Sequence, residues 1–132
     1  LLKDSNKRLF MSVAQQVVLA SKSSVRKTLL ESLSLPFTVQ PSFVDESKII
    51  AKDPSLVALK RAYEKARSVS KGSKLSLVIG SDQVLSFKGQ IFSKPKSEKE
   101  AFSHLEKFQG DEHVLHSAVC LCFSGDKGSE GF

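Results

Sequence analysis

Tryptophan is absent from this 132-residue sequence, tyrosine occurs once and cysteine twice. The two cysteines, Cys120 and Cys122, stand two positions apart on what reads as a strand. Alternate strand Cα atoms lie about 6.5 Å or more apart with side chains running parallel, so a bridge between them is disfavoured. A disulfide scaffold is excluded, and a reducing cytoplasm is the expected compartment. With so few aromatic platforms, and phenylalanines falling mostly at core-like positions, stacking on single-stranded nucleic acid is not expected. No apolar run approaches the roughly 20 residues that cross a bilayer, and the first apolar stretch, residues 17–20, is too short for a signal-peptide core. No membrane partner is expected. The phosphate-loop, dinucleotide-binding and nucleophile-elbow patterns are all missing. Cys120, Cys122, His113 and His116 are metal-binding types without zinc spacing, and read as strand filling.

What is present suits one globular domain, residues 1–132, with 40% hydrophobic and 26% charged residues. A chain of this length buries enough surface to fold without a staple. The formal charge of +6 favours an anionic partner such as a nucleotide. A merely basic surface is the plain alternative.

Residues 1–15 lack periodicity and read as a lead-in, with Met11 a candidate natural start. Residues 16–20 (QVVLA) read as a buried strand. A serine-rich turn follows, then a helix with Val25, Leu29 and Leu33 on one face and Ser23 or Ser24 as N-cap. Phe37, Val39 and Phe43 suggest a strand interrupted at Pro41. Asp53-Pro54 opens a second helix, with Leu56, Leu59, Tyr63 and Ala66 as its core stripe and residues 68–74 as stop and linker. Residues 75–80 form a strand, and Lys88-Gly89 turns a hairpin between residues 84–87 and 90–93. Ser97 and Glu100 make a capping box for a helix carrying Ala101, Leu105 and Phe108, closed by Gly110. Residues 113–123 form a long strand, and residues 124–132 an irregular tail. The order β-α-β-α-β-β-β-α-β predicts an α/β fold with a mixed, twisted sheet and flanking helices.

Three segments could carry chemistry. The turn from Ser21 through Ser23 to Arg26 points free N–H groups and a positive dipole end outward, and Arg26 can fork onto phosphate. An ordinary capped helix is the plain alternative. Gly80-Ser81-Asp82-Gln83 falls at the expected C-terminal end of a strand, where open α/β sheets bind ligands. An aspartate there can hold Mg²⁺ or take a proton from water, or simply cap its own turn. Lys94, stiffened by Pro95, offers a point charge to phosphate, or protects a sheet edge. Asp45 and Glu46 could share a metal with Asp82, or form a solvated loop. Lys65 and Arg61 lie one turn apart on the second helix, by default as a solvated basic face.

Together these segments resemble the Maf family. Residues 19–30 (LASKSSVRKTLL) look like its opening pattern L-A-S-x-S-P-x-R-x-x-L-L. Val44-Asp45-Glu46 resembles its acidic pair, and Glu64-Lys65-Ala66 its E-K-A helix motif. Gly80-Ser81-Asp82-Gln83 resembles G-[AS]-D-[TQ], and Lys94-Pro95-Lys96 resembles K-P-[KR]. The run from Gly110 through His113 to Val119 resembles G-x-x-H-x-V-x-[TS]-x-V. The match extends over about residues 17–122, and ordered motifs are far more specific than any one alone.

The resemblance implies an elongated α/β fold with a central cleft, similar to inosine triphosphate pyrophosphatases. It implies a cytoplasmic nucleoside triphosphate pyrophosphatase, releasing NMP and pyrophosphate with a divalent metal, usually Mg²⁺, and cleansing the pool of modified nucleotides. The family is also linked to arrest of cell division at septum formation. On this resemblance Asp82 is the catalytic base candidate. Ser21, Ser23, Arg26, Lys65, Gln83 and Lys94 would bind substrate, and Asp45, Glu46 and Asp82 would hold metal. Ser24 and Val25 depart from the usual proline and arginine or aromatic residue. Gly-Ser-Asp-Gln is closer to the 7-methyl-GTP branch than to the dTTP/UTP branch. Family chains continue well beyond the last strand, so the sequence is expected to be incomplete at its C-terminus, with unpaired sheet edges that favour self-association or a homodimer. The alternatives are a non-catalytic nucleotide-binding module and an inactive truncated family member.

Overall fold

Val17, Val18 and Leu19 are buried in succession, as expected of a strand covered on both faces. They belong to β1 (Gln16–Leu19), which pairs in parallel with β2 (Thr38–Val39) on one side and with β3 (Ser76–Phe87) on the other. The computed structural model describes residues 16–72, 75–125 and 128–131. The lead-in at 1–15, residues 73–74 of the linker, and residues 126–127 and 132 of the tail lie outside the described residues.

Helix α1 (Ser24–Glu31) carries the chain from β1 to β2. Its N-cap is Ser23, whose hydroxyl accepts the Arg26 N–H at 3.2 Å. A single 3-10 turn, Glu46–Lys48, precedes α2 (Pro54–Ser70). Asp53 caps α2 by accepting the Ser55 N–H at 2.8 Å, with Pro54 in the first turn, where its missing N–H costs nothing. Then come β3, β4 (Gln90–Phe92), α3 (Glu98–Phe108), β5 (Val114–Gly125) and β6 (Gly128–Gly131). The six strands run β2-β1-β3-β5-β6, with β4 paired to β3, in a mixed sheet. Among the described residues no helix is long and apolar enough to cross a membrane.

Three expectations from the sequence are corrected here. The strand expected to end at Gly80 does not end there, because β3 runs unbroken for 12 residues through 80–83. Its alternate residues Ser76, Val78, Gly80, Asp82, Val84 and Ser86 are all buried on the face that meets α2. That alternation carries the strand through Gly-Ser-Asp, which local turn preference alone would have broken. The tail is not wholly irregular either, since β6 returns antiparallel along the end of β5. The strand expected across Phe37 to Phe43 shrinks to Thr38–Val39, and Phe43 is 84% exposed.

The helix stripes differ for one physical reason. The large apolar residues Leu56, Leu59 and Tyr63 lie exposed, while Val57, Ala58, Ala62, Ala66 and Val69 are buried against the sheet. Small alanines let α2 approach closely, and larger side chains there would hold it away. The core joins Ala62, Ala66 and Val69 to Val18, Ala20, Val78, Cys120 and Cys122. Burial of Val69 and Ser70 also carries α2 past the stop expected at Ser68. In α1, Val25 and Leu29 are 67% and 65% exposed, and in α3 only Phe108 is buried. Among the described residues α2 is the helix that packs broadly on the sheet.

Candidate active site

The site forms at a notch in the sheet. Strand β5 covers one edge of β3 from Ser76 to Ser86. The other edge is shared: β1 pairs with Ser76–Ile79, and β4 pairs with Leu85, Ser86 and Phe87. Between them, residues 80–84 of β3 have no partner strand on that edge among the described residues. The chain leaves β1 at the near end of this notch, with the Ala20 N–H on the Ile79 carbonyl at 2.9 Å, and enters the turn at Ser21. It leaves β4 at the far end with Phe92 opposite Leu85, and Lys94 follows two residues later. The parallel strand and the hairpin thus bring two remote segments to one short stretch of β3.

Asp82 lies in that stretch, 5% exposed. Its Oδ1 accepts a hydrogen bond from Lys65 Nζ at 2.8 Å. Its Oδ2 is buried with no hydrogen-bond partner. A buried carboxylate oxygen left without a donor is costly, so it marks a place for an incoming donor or cation. Lys65 projects from α2 with its side chain 12% exposed and holds a second carboxylate, Glu46 Oε1, at 2.6 Å. Burial pushes the Glu46 carboxyl up, but the hydrogen bond from Lys65 and the charges of Lys65, Arg61 and Arg26 outweigh it. The net result is a carboxyl held below its usual range. Arg26 from α1 and Arg61 and Lys65 from α2 therefore all act on one carboxylate.

Ser21 is buried, and its Oγ accepts the Ser23 N–H at 3.0 Å. Ser23 Oγ accepts the Arg26 N–H as helix cap. Each hydroxyl is engaged as an acceptor and keeps its hydrogen to donate to an anion.

The remaining predicted residues are placed differently. Asp45 turns away to cap the 3-10 turn, with Oδ1 accepting from the Ser47 N–H at 3.1 Å and from the Ser47 hydroxyl at 2.6 Å. Strand alternation puts Gln83 on the sheet face opposite Asp82, where its Nε2 donates to Ser117 Oγ at 3.1 Å. Lys94 is exposed beyond β4. Arg61, which the sequence suggests is part of a solvated face, has a buried Nε with no hydrogen-bond partner. Its position one turn before Lys65 was the signal. Cys122 is no nucleophile candidate: burial and the adjacent Cys120 push its thiol up to about 12.

No cluster of three or more His, Cys, Asp or Glu side chains occurs among the described residues. Asp82 and Glu46 do share one ammonium, and Asp82 keeps an open oxygen. Two carboxylates completed by substrate phosphates are a usual donor set for Mg²⁺, which seldom relies on an all-protein cage. The open oxygen of Asp82 and the Glu46 carboxylate are donor types that suit a divalent cation, and Asp45 is not among them.

Comparison with known proteins adds the family. The model of the family described as Maf-like protein matches residues 16–131. A nucleoside triphosphate pyrophosphatase of Pelagibacter ubique is 35% identical over 119 residues, 86% of this chain and 61% of that protein. A dTTP/UTP pyrophosphatase of Ruminiclostridium cellulolyticum is 35% identical over 108 residues, covering 81% of this chain and 56% of that one. A 7-methyl-GTP pyrophosphatase of Bartonella quintana is 41% identical over 119 residues, covering 87% and 60%. The chain thus spans little more than half the length of these relatives.

Proposed function

Because the chain belongs to the Maf family, we propose that it hydrolyses a nucleoside triphosphate to the monophosphate and pyrophosphate. The observation that carries this reading is Asp82: a buried carboxylate with one oxygen fixed by Lys65 and the other open, beside a group of cations. Phosphoryl transfer needs in-line placement and neutralisation of spreading charge more than covalent help. Arg26 and Lys94 bind the triphosphate, and the Ser21 and Ser23 hydroxyls donate to it at the strand-to-helix turn. Asp82 orients the attacking water and accepts its proton as the oxygen–phosphorus bond forms. Pyrophosphate leaves with the electron pair of the broken anhydride. Lys65 fixes the Asp82 carboxylate so that its open oxygen faces the water.

Asp82 and Glu46 would hold the divalent cation, taken to be Mg²⁺, which supplies charge neutralisation on the phosphates when bound. The relatives' names include 7-methyl-GTP, dTTP and UTP, and the Gly-Ser-Asp-Gln form directs the first test to 7-methyl-GTP. Such work on the nucleotide pool belongs in the cytoplasm.

The test is a panel of ordinary and methylated triphosphates with Mg²⁺, read as monophosphate and pyrophosphate in equal amounts. Release from at least one substrate supports the reading. Binding without release identifies a non-catalytic nucleotide-binding module instead.

A further inference from the structure

Lys65, the cation nearest Asp82, is not free to serve the phosphate chain of the substrate proposed above. Lys65 is one cation, and it already serves two carboxylates, Asp82 at 2.8 Å and Glu46 at 2.6 Å. That trio is net negative when ionised, and a triphosphate brings further negative charge. A further cation that meets the phosphates there, besides Arg26, Lys94 and the divalent ion, has to lie close to the trio and have hydrogen-bond donors to spare.

Arg61 meets both conditions. It lies one helical turn before Lys65, so the two share a flank of α2. The adjoining positions Ala58 and Ala62 are buried against the sheet, which holds that flank over β3. Its Nε is buried and lacks an acceptor, and no ion pair or hydrogen bond engages its guanidinium among the described residues. Its charge nevertheless reaches Glu46, the outer carboxylate of the trio. A buried guanidinium donor without an acceptor is costly, and an arriving anionic oxygen removes that cost. Guanidinium presents its donors as a planar fork matched to two oxygens of one phosphate, which the ammonium of Lys65 cannot do. Lys60, the neighbouring cation, is exposed and roughly 100° away around the helix.

We propose that Arg61 is a substrate-binding residue whose guanidinium takes an oxygen of the polyphosphate chain, while Lys65 remains committed to Asp82. The proposal rests on the pyrophosphatase reading for the identity of its ligand. It adds a residue to the site and divides the work: Lys65 positions the carboxylate, and Arg61 holds the phosphate. A general basic patch would not make this division.

Inorganic tripolyphosphate, titrated calorimetrically into the wild type, Arg61→Gln, Arg61→Met and Lys60→Gln, tests it. Loss of charge-assisted hydrogen bonds should weaken binding by about tenfold to hundredfold in both Arg61 variants. Lys60→Gln, which removes the same formal charge, should stay within about twofold. With a triphosphate that the wild type hydrolyses, KM should rise by a similar factor while kcat changes little, as for an interaction made equally before and during reaction. Arg61→Met preserves the aliphatic stem, so it serves if Arg61→Gln folds poorly. Tripolyphosphate binding by a folded Arg61 variant that equals Lys60→Gln overturns the proposal, and hydrolysis by the wild type then leaves the pyrophosphatase reading intact. Failure of the wild type to bind tripolyphosphate also overturns it, whereas the triphosphate panel alone decides the broader function.

Discussion

Gly80 and Ala62 meet across the interface of β3 and α2 with no space for a side chain between them. A β-carbon on Gly80 would stand 2.1 Å from the Ala62 carbonyl oxygen and 2.8 Å from the Ala66 β-carbon. Gly80 is two residues before Asp82 on the same face, and Ala66 follows Lys65 directly. The close approach that requires glycine is therefore what lets Lys65 reach Asp82.

Gly80→Ala should push α2 off the sheet. The obstructing atoms are mainly backbone, which cannot rotate away. A loss of about 3 kcal/mol, at the upper end of usual overpacking costs, is expected in urea unfolding. Activity should fall as well, because the Lys65–Asp82 hydrogen bond opens with the interface. Stability within about 0.5 kcal/mol of wild type would show that the interface has slack.

Lys65→Met should leave Asp82 as a buried charge without its partner. Breaking such a pair costs about 3–5 kcal/mol. Adding Asp82→Asn removes the stranded charge, so the double variant should regain at least about 1 kcal/mol over Lys65→Met alone. Additive losses in this double-mutant cycle would mean that the two side chains do not interact.

Glu46 gives a pH dependence of known sign. Its carboxyl is held below its usual range in the folded state, the hydrogen bond and charge of Lys65 outweighing burial. The folded state therefore favours the ionised form. The stabilisation is intact above the ordinary glutamate value, about 4.3, and is lost as pH falls through the lowered folded value. Urea midpoints of wild type and Glu46→Gln should differ near pH 7 and converge below about pH 4. A gap that widens in acid contradicts the assignment.

Much of the framework was legible in the sequence. Asp53-Pro54, Ser23 and Ser97 marked three helix starts through short-range hydrogen bonding, which the local sequence encodes. The Ser97 hydroxyl accepts the Glu100 N–H at 3.1 Å, as the capping pattern requires. What was not legible depended on neighbours far along the chain. Gly80-Ser81-Asp82 reads locally as a turn, and only pairing with β5 and packing under α2 keep it extended. Large apolar residues such as Leu59 suggested the buried stripe of α2, but the close approach to Gly80 selects alanines instead. Arg61 and Lys65 were visible as a spaced pair. That one is committed to two carboxylates and the other has an unpaired buried donor follows only from their three-dimensional surroundings.

The most direct test of the role proposed for Asp82 is quantified pyrophosphate release from a methylated or ordinary triphosphate with Mg²⁺, comparing wild type with Asp82→Asn. The substitution preserves shape while removing the carboxylate proposed as proton acceptor. The expected result is turnover by the wild type and a fall of about 10²–10⁴-fold in the variant, the range for loss of a positioned base. Equal rates in the two folded proteins would contradict the role given to Asp82.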